Sequence, residues 1–198
     1  MKKYIISVTA LLLTIMLLVG CGKMSKEEAK KAIKEKKYDA AFGTMLDLAK
    51  SGDAEAAALL AEMYEGGLGV EKNEHEARHW LEQAADGGYA LSQATLGIRC
   101  LDERSSSYEP EKAEKYLLKA AEQGFEDAQM MLALSYDTGM KLRKNSQQAY
   151  FWYRVIEKHG KDPDNLAIAK KSQGESLSRE ERQQLSKKAQ EWQPVRVK

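Results

Sequence analysis

The feature that most constrains this chain is a step of 36 residues, on which Gly52, Gly88, Gly124 and Gly160 all fall. Ala41, Ala77, Ala113 and Ala149 keep the same step, as do Leu60, Leu96 and Leu132, and Ala49, Ala85 and Ala121. Self-similarity at such a period marks stacked supersecondary units, each unable to bury its apolar face alone. Aligning "GDAEAAALLAEMYEGG", "GYALSQATLGIRCLDE" and "GFEDAQMMLALSYDTG" gives the first half of each unit. The second halves are "NEHEARHWLEQAADGG", "EPEKAEKYLLKAAEQG" and "NSQQAYFWYRVIEKHG".

Each half reads as a helix. Ala56, Leu60 and Tyr64 form one stripe of a helix; Ala77, Trp80, Leu81, Ala84 and Ala85 form another. Asn73 and Asn145 stand at N-cap positions with Glu76 and Gln148 three residues on, and Pro110 takes a first helical position. The closing glycine of each unit is expected at positive φ, where a helix ends in a left-handed residue. Alanines let helices approach closely. The expectation is an all-α, right-handed solenoid of antiparallel helix pairs, with repeats near 53–88, 89–124 and 125–160. Ser25 with Glu28 opens an incomplete first pair. Residues 161–176 hold a short helix and a loop, and Ser178 with Glu181 starts a closing helix carrying Leu185, Ala189 and Trp192 on one face.

Residues 56–89 closely resemble a Sel1-like repeat, a relative of the tetratricopeptide repeat with a Gly-rich hairpin between its helices. Gly67, Gly69, Val70, Ala77, Trp80, Ala84, Ala85 and Gly88 carry the likeness. The second unit lacks the hairpin glycines and puts Cys100 where Tyr64 and Tyr136 stand; the third keeps only Gly139 of the glycine pair. The resemblance implies a protein-binding adaptor rather than an enzyme, with no cofactor.

The N-terminus carries a separate instruction. Lys2 and Lys3 precede an apolar run from Tyr4 to Val19, the pattern of a secretory signal. Leu18-Val19-Gly20-Cys21 resembles a bacterial lipobox, which implies that residues 1–20 are removed, Cys21 is lipidated and residues 21–25 form a short tether to the repeat domain at 26–198. Several acyl chains anchor stably, and Gly22 rather than Asp after the cysteine implies the inner leaflet of the outer membrane, facing the periplasm. With 31 Lys and Arg against 30 Asp and Glu, there is no electrostatic case for nucleic acid. Lipidation of Cys21 leaves Cys100 alone, so no internal disulfide forms.

His75-Glu76-x-x-His79 has the spacing by which a helix offers two imidazoles to zinc beside a glutamate base. The repeat fixes where they point. At 100° per residue from Leu81, Ala77, Ala84 and Ala85 lie within about 60° of the core, while His75 and His79 lie about 120° and 160° away. The motif is expected to be a coincidence on a solvated face, with His75 and His79 at most an adventitious metal site near Asp102 or Glu103 and a zinc hydrolase only a minor alternative. His159 is expected to serve the C-terminus of its helix, and Cys100 to be a buried, inert thiol.

The first helices remain informative on the side opposite their leucines. That side carries Glu55, Ala58, Leu59 and Glu62, then Leu91, Ala94, Thr95 and Ile98, then Asp127, Met130, Met131 and Leu134. In solenoids of the kind it resembles, these helices line the inner curve. Leu59, Leu91, Thr95, Ile98, Met130, Met131 and Leu134 therefore form either a partner-binding patch or packing between repeats. Small Sel1-type lipoproteins include immunity proteins that neutralise phospholipase toxins in the periplasm. Such an inhibitor is the specific function expected here, with an envelope adaptor for a cell-wall or secretion component as the alternative. A β-lactam-binding activity belongs to cysteine-rich Sel1 proteins, whose paired cysteines this chain lacks.

Overall fold

The computed structural model describes residues 24–102, 104, 108–172 and 174–195. The expected signal segment and Cys21 lie outside them. Among the described residues the chain forms ten α-helices and no strand. These are α1 (Lys26–Lys34), α2 (Tyr38–Lys50), α3 (Ala54–Gly66), α4 (Glu74–Asp86), α5 (Ala90–Cys100), α6 (Pro110–Glu122), α7 (Glu126–Thr138), α8 (Ser146–His159), α9 (Pro163–Lys171) and α10 (Arg179–Glu191). No helix among the described residues is long and apolar enough to cross a membrane. Packing is closest within the pairs α3/α4, α5/α6 and α7/α8, and successive pairs stack on one another. The core runs continuously from Ala29 to Ala189, so residues 22–198 carry the whole of it.

Two hydrogen-bond patterns repeat with the sequence. After each second helix the backbone N–H of Asp53, Tyr89 and Phe125 donates to the carbonyl five residues earlier, on Leu48, Ala84 and Ala120, each at 3.0 Å. The intervening Gly52, Gly88 and Gly124 sit at φ +94, +90 and +89, the Schellman arrangement that satisfies a helix's last carbonyls. Within each pair the hairpin is closed by Asn73 N–H to Tyr64 C=O at 3.0 Å, Glu109 to Cys100 at 2.9 Å and Asn145 to Tyr136 at 2.9 Å. The second hairpin keeps this closure although it has none of the glycines.

The stacking contacts are periodic too. The buried Gln93 donates its side-chain amide to Ala85 C=O at 2.9 Å, and Gln129, one repeat later, donates to Ala121 C=O at 3.0 Å. Each spans two consecutive units and adds a second hydrogen bond to a helix-end carbonyl that already accepts the closing glycine's N–H. Ala41, Ala77, Ala113 and Ala149 are all buried; at this close approach a larger side chain would overpack by about 1–3 kcal/mol.

Several sequence expectations meet the structure directly. The side chains of Asn73 and Asn145 cap their helices, and Ser25–Glu28 and Ser178–Glu181 form capping boxes. Glu76 does not turn back to its cap, because its carboxylate accepts from the Trp80 indole N–H at 3.1 Å. Gly160 breaks the positive-φ expectation, at φ −64. Asp162 and Pro163 start α9 immediately, and the Glu126 carboxylate accepts the N–H of Lys161 at 2.7 Å and of Asp162 at 3.1 Å, which holds the chain extended. Glycine is still required there, since a Cβ would lie 2.5 Å from the Ile156 carbonyl oxygen.

At the start of the stack the nine-residue α1 packs on α2, and α2 packs on α3. At the other end α10 packs along α8, running parallel to it: Gln147 bonds Glu181 at 3.0 Å, Tyr150 meets Ser186 at 3.2 Å, and the ring of Trp192 lies 5.6 Å from His159 and 6.2 Å from Trp152. Beyond α10 the Val195 N–H donates to Glu122 C=O at 2.8 Å.

Gly69 in the first hairpin sits at φ +68, and a Cβ there would come within 2.6 Å of the Tyr38 backbone at the start of α2. Gly43, inside α2, has open space around it. Gly69→Ala is therefore expected to lower stability by about 1–3 kcal/mol through strain and overpacking. Gly43→Ala is expected to raise it by up to about 1 kcal/mol. Urea melts of the two variants check both signs.

Candidate protein-interaction surface

Helices α3, α5 and α7 stand side by side, and the repeat places their side chains in register. Arg99 of α5 forms a two-oxygen ion pair with Glu65 of α3, at 2.8 and 2.9 Å. Lys26 and Lys30 of α1 pair with Glu55 of α3 at 2.8 and 2.7 Å, and these ammonium groups hold the Glu55 carboxyl below its usual range. These partly exposed pairs orient the helices more than they stabilise them.

Three rows cross this face, one residue per helix: Glu55, Leu91 and Asp127; Leu59, Thr95 and Met131; Glu62, Ile98 and Leu134. Leu91, Ile98 and Leu134 are 45%, 40% and 37% exposed. Leu59, Thr95 and Met131 are partly buried. Between α3 and α5 the face sinks into a groove of 270 Å³ lined by Ala58, Ala61, Glu62, Leu91, Thr95 and Arg99, among others.

Met130 does not belong to this face. It is only 6% exposed, and Ala58 and Ala94, its repeat equivalents, are buried as well. The single-stripe picture places their row opposite the core. A first helix in a stack is covered by its own partner and by the neighbouring units, so its buried arc exceeds half the circumference. On α5 that arc takes in Ser92, Gln93, Ala94, Leu96, Gly97 and Cys100, leaving Leu91, Thr95, Ile98 and Arg99 outward.

The zinc-like motif meets none of the geometry it needs. His75 and His79 are exposed, and the His79 ring stands edge-on to Trp80 at 5.1 Å. Glu76 is taken by the Trp80 indole. Among the described residues no three His, Cys, Asp or Glu side chains converge. His75 does share a 520 Å³ cleft with Asp102, Arg78 and Cys100, but the Asp102 carboxylate accepts from Arg104 at 3.1 Å; Glu103 lies outside the described residues. Cys100 is buried, and burial pushes its thiol up, the opposite of what a nucleophile requires. His159 ends α8 with its ring against Trp192.

Polar links between units are what sequence reading missed. The Tyr116 hydroxyl donates to Asp86 of the preceding unit at 2.7 Å and Tyr136 donates to Glu114 of the preceding unit, while Tyr153 donates to Asp137 of its own unit at 3.4 Å. A helical Tyr and a carboxylate far from it in sequence carry no local pairing signal.

A stack of antiparallel helix pairs with exposed apolar side chains on its first helices is an α-solenoid. The Sel1 repeat pattern matches residues 54–89, 91–125 and 126–155, and this chain belongs to the Sel1 repeat family. A Sel1 repeat protein of Oxalobacter formigenes is similar to it at 30% identity, covering 66% of this chain and 98% of its own, with a TM-score of 0.61. A protective antigen of uropathogenic Escherichia coli with an SLR fold is 22% identical, covering 77% of this chain and 41% of its own, with a TM-score of 0.49. No curated protein matches.

Burial, followed by the Asp137 carboxylate, pushes Tyr153 up from 10.0 to about 12. A phenol whose folded value is raised contributes stability that is complete below its unfolded value and is lost as pH climbs to the folded one. Stability should therefore fall between pH 10 and about 12, by up to roughly 3 kcal/mol from this residue. Tyr153→Phe is expected to make that decline shallower, which urea titrations across the alkaline range measure.

Proposed function

We propose that this chain is a lipid-anchored, periplasm-facing module that captures another protein on the face of α3, α5 and α7. The observation that carries the reading is the set of exposed apolar side chains, Leu91 and Ile98 on α5 and Leu134 on α7. Contiguous apolar surface of this kind marks interaction sites on soluble domains. Met131 beside it adds a polarizable, adaptable contact.

The lipobox Leu18 to Cys21 supports the anchor, and Gly22 supports the outer membrane. A tether of a few residues keeps the solenoid close to the bilayer. A phospholipase toxin delivered to the periplasm must work at that surface, so a tethered inhibitor would meet it there. The specific proposal is an immunity protein against such a toxin; an envelope adaptor for a cell-wall or secretion component is the other binding function on offer.

Pull-down with residues 22–198 from envelope extract, and against the product of any neighbouring toxin gene, tests the proposal and separates the two. Changing Ile98 and Met131 together to Arg should weaken capture by more than about 30-fold, a loss of roughly 2 kcal/mol, with helicity and melting unchanged. Capture that survives both changes would sink the assigned face. For the anchor, metabolic palmitate label is expected in the wild-type chain and absent from Cys21→Ser.

A further inference from the structure

The binding face has a charge pattern as well as an apolar one. Glu62 occupies the repeat position of Ile98 and Leu134, so a carboxylate stands at one end of an apolar row. It has no hydrogen-bond or ion-pair partner among the described residues. The neighbouring Glu65 is committed to Arg99, and Glu55 to Lys26 and Lys30. Asp127, at the opposite end of the Leu91 row, is exposed and also has no partner among the described residues. The groove walls desolvate the Glu62 carboxyl and push it above its usual range, with Glu65 adding to the effect. The uncompensated charge on this face is therefore negative, and Glu62 is exposed to a cation entering the groove.

Geometry narrows the occupant. Arg99 reaches from α5 to Glu65 of α3, so neighbouring first helices lie within a long side chain's reach of each other, and seven residues of an α-helix rise about 10.5 Å. A helix laid across the face thus meets one first helix per two turns. Along α3, α5 and α7 the three rows span two turns, about 10 Å, which matches the width of a helix rather than a strand. We infer that the face takes an amphipathic helix lying across α3, α5 and α7, which sets a lysine or arginine against Glu62 and apolar side chains against Ile98 and Leu134 at seven-residue steps. This rests on the face assigned above and adds the chemistry of its partner.

The probes are synthetic helical peptides of about 18 residues. One carries a lysine followed by two leucines at seven-residue steps, a second has glutamate for the lysine, and a third presents the same three side chains at three-residue steps suited to an extended chain. Fluorescence anisotropy with residues 22–198 should show the lysine helix binding at least about tenfold tighter than the glutamate helix. Added salt should narrow the gap. Glu62→Gln should erase the preference and Glu62→Lys reverse it, with thermal melts confirming both variants folded. Equal binding of the two helices, a preference unmoved by Glu62→Lys, tighter binding of the extended peptide, or no binding of either helix would each overturn the inference. Ile98→Arg separates the levels. If it abolishes binding while charge has no effect, the face stands and the basic helix falls; if binding survives it, the face itself is wrong.

Discussion

The solenoid depends on one backbone bond made three times. The residue after each closing glycine donates to the carbonyl five positions back, with Asp53 to Leu48 followed by its equivalents one and two repeats on. Because each glycine takes a φ near +90, the chain leaves every second helix in the same direction. The next first helix then lands at the same height and angle. Register between units follows from this, and with it the buried alanines, the Gln93 and Gln129 bonds and the rows on the outer face. A β-carbon at Gly52 would meet open space and one at Gly124 the edge of Pro194, so left-handed backbone, not crowding, is what selects glycine at Gly52.

This explains why so much of the fold is legible in the sequence. Local rules act within one helix or turn: the N-caps at Asn73 and Asn145, the capping boxes at Ser25 and Ser178, and Pro110 at a helix start. Repetition then lets one unit vouch for another. The second hairpin, without glycines, is closed by the same Glu109–Cys100 bond that its neighbours make. Legibility fails where long-range partners decide. Gly160 looks like its three predecessors, yet Glu126, 35 residues before Lys161, holds the chain extended beyond it. Met130 looks like a surface residue on a helical wheel, but a wheel knows only one buried side, whereas a stacked helix has several.

The candidate face illustrates the same division. Leu91, Ile98 and Leu134 are exposed in the structure, while Leu59, Thr95 and Met131 are partly buried. What the pattern does not disclose is which of the accompanying charges are already neutralised. Glu55, Glu62 and Glu65 look alike in sequence; only the fold gives Glu55 two lysines and Glu65 an arginine, leaving Glu62 without a cation among the described residues. An isolated carboxylate in an apolar row lowers the affinity for itself of any partner that cannot pair with it. It therefore acts as a specificity device whichever protein occupies the face.

The two ends of the stack solve the capping problem differently, and the difference bears on the face. At the start, α1 packs on α2 and continues the line of first helices far enough to cover Glu55. At the finish, the extended backbone at Gly160 admits only the short α9, and α10 turns to lie along α8 instead of pairing with α9. Trp192 then closes the second-helix side by packing on Trp152 and His159, and the tail reaches back to Glu122. The heavy cap thus protects the second helices, where an exposed stacking surface would invite open-ended association of copies. The rows on the first helices carry no such lid at Leu91, Ile98 and Leu134. A chain that buries the apolar end of its stack with a dedicated helix, yet leaves Leu91, Ile98 and Leu134 in water, keeps its first-helix face accessible where its second-helix face is closed.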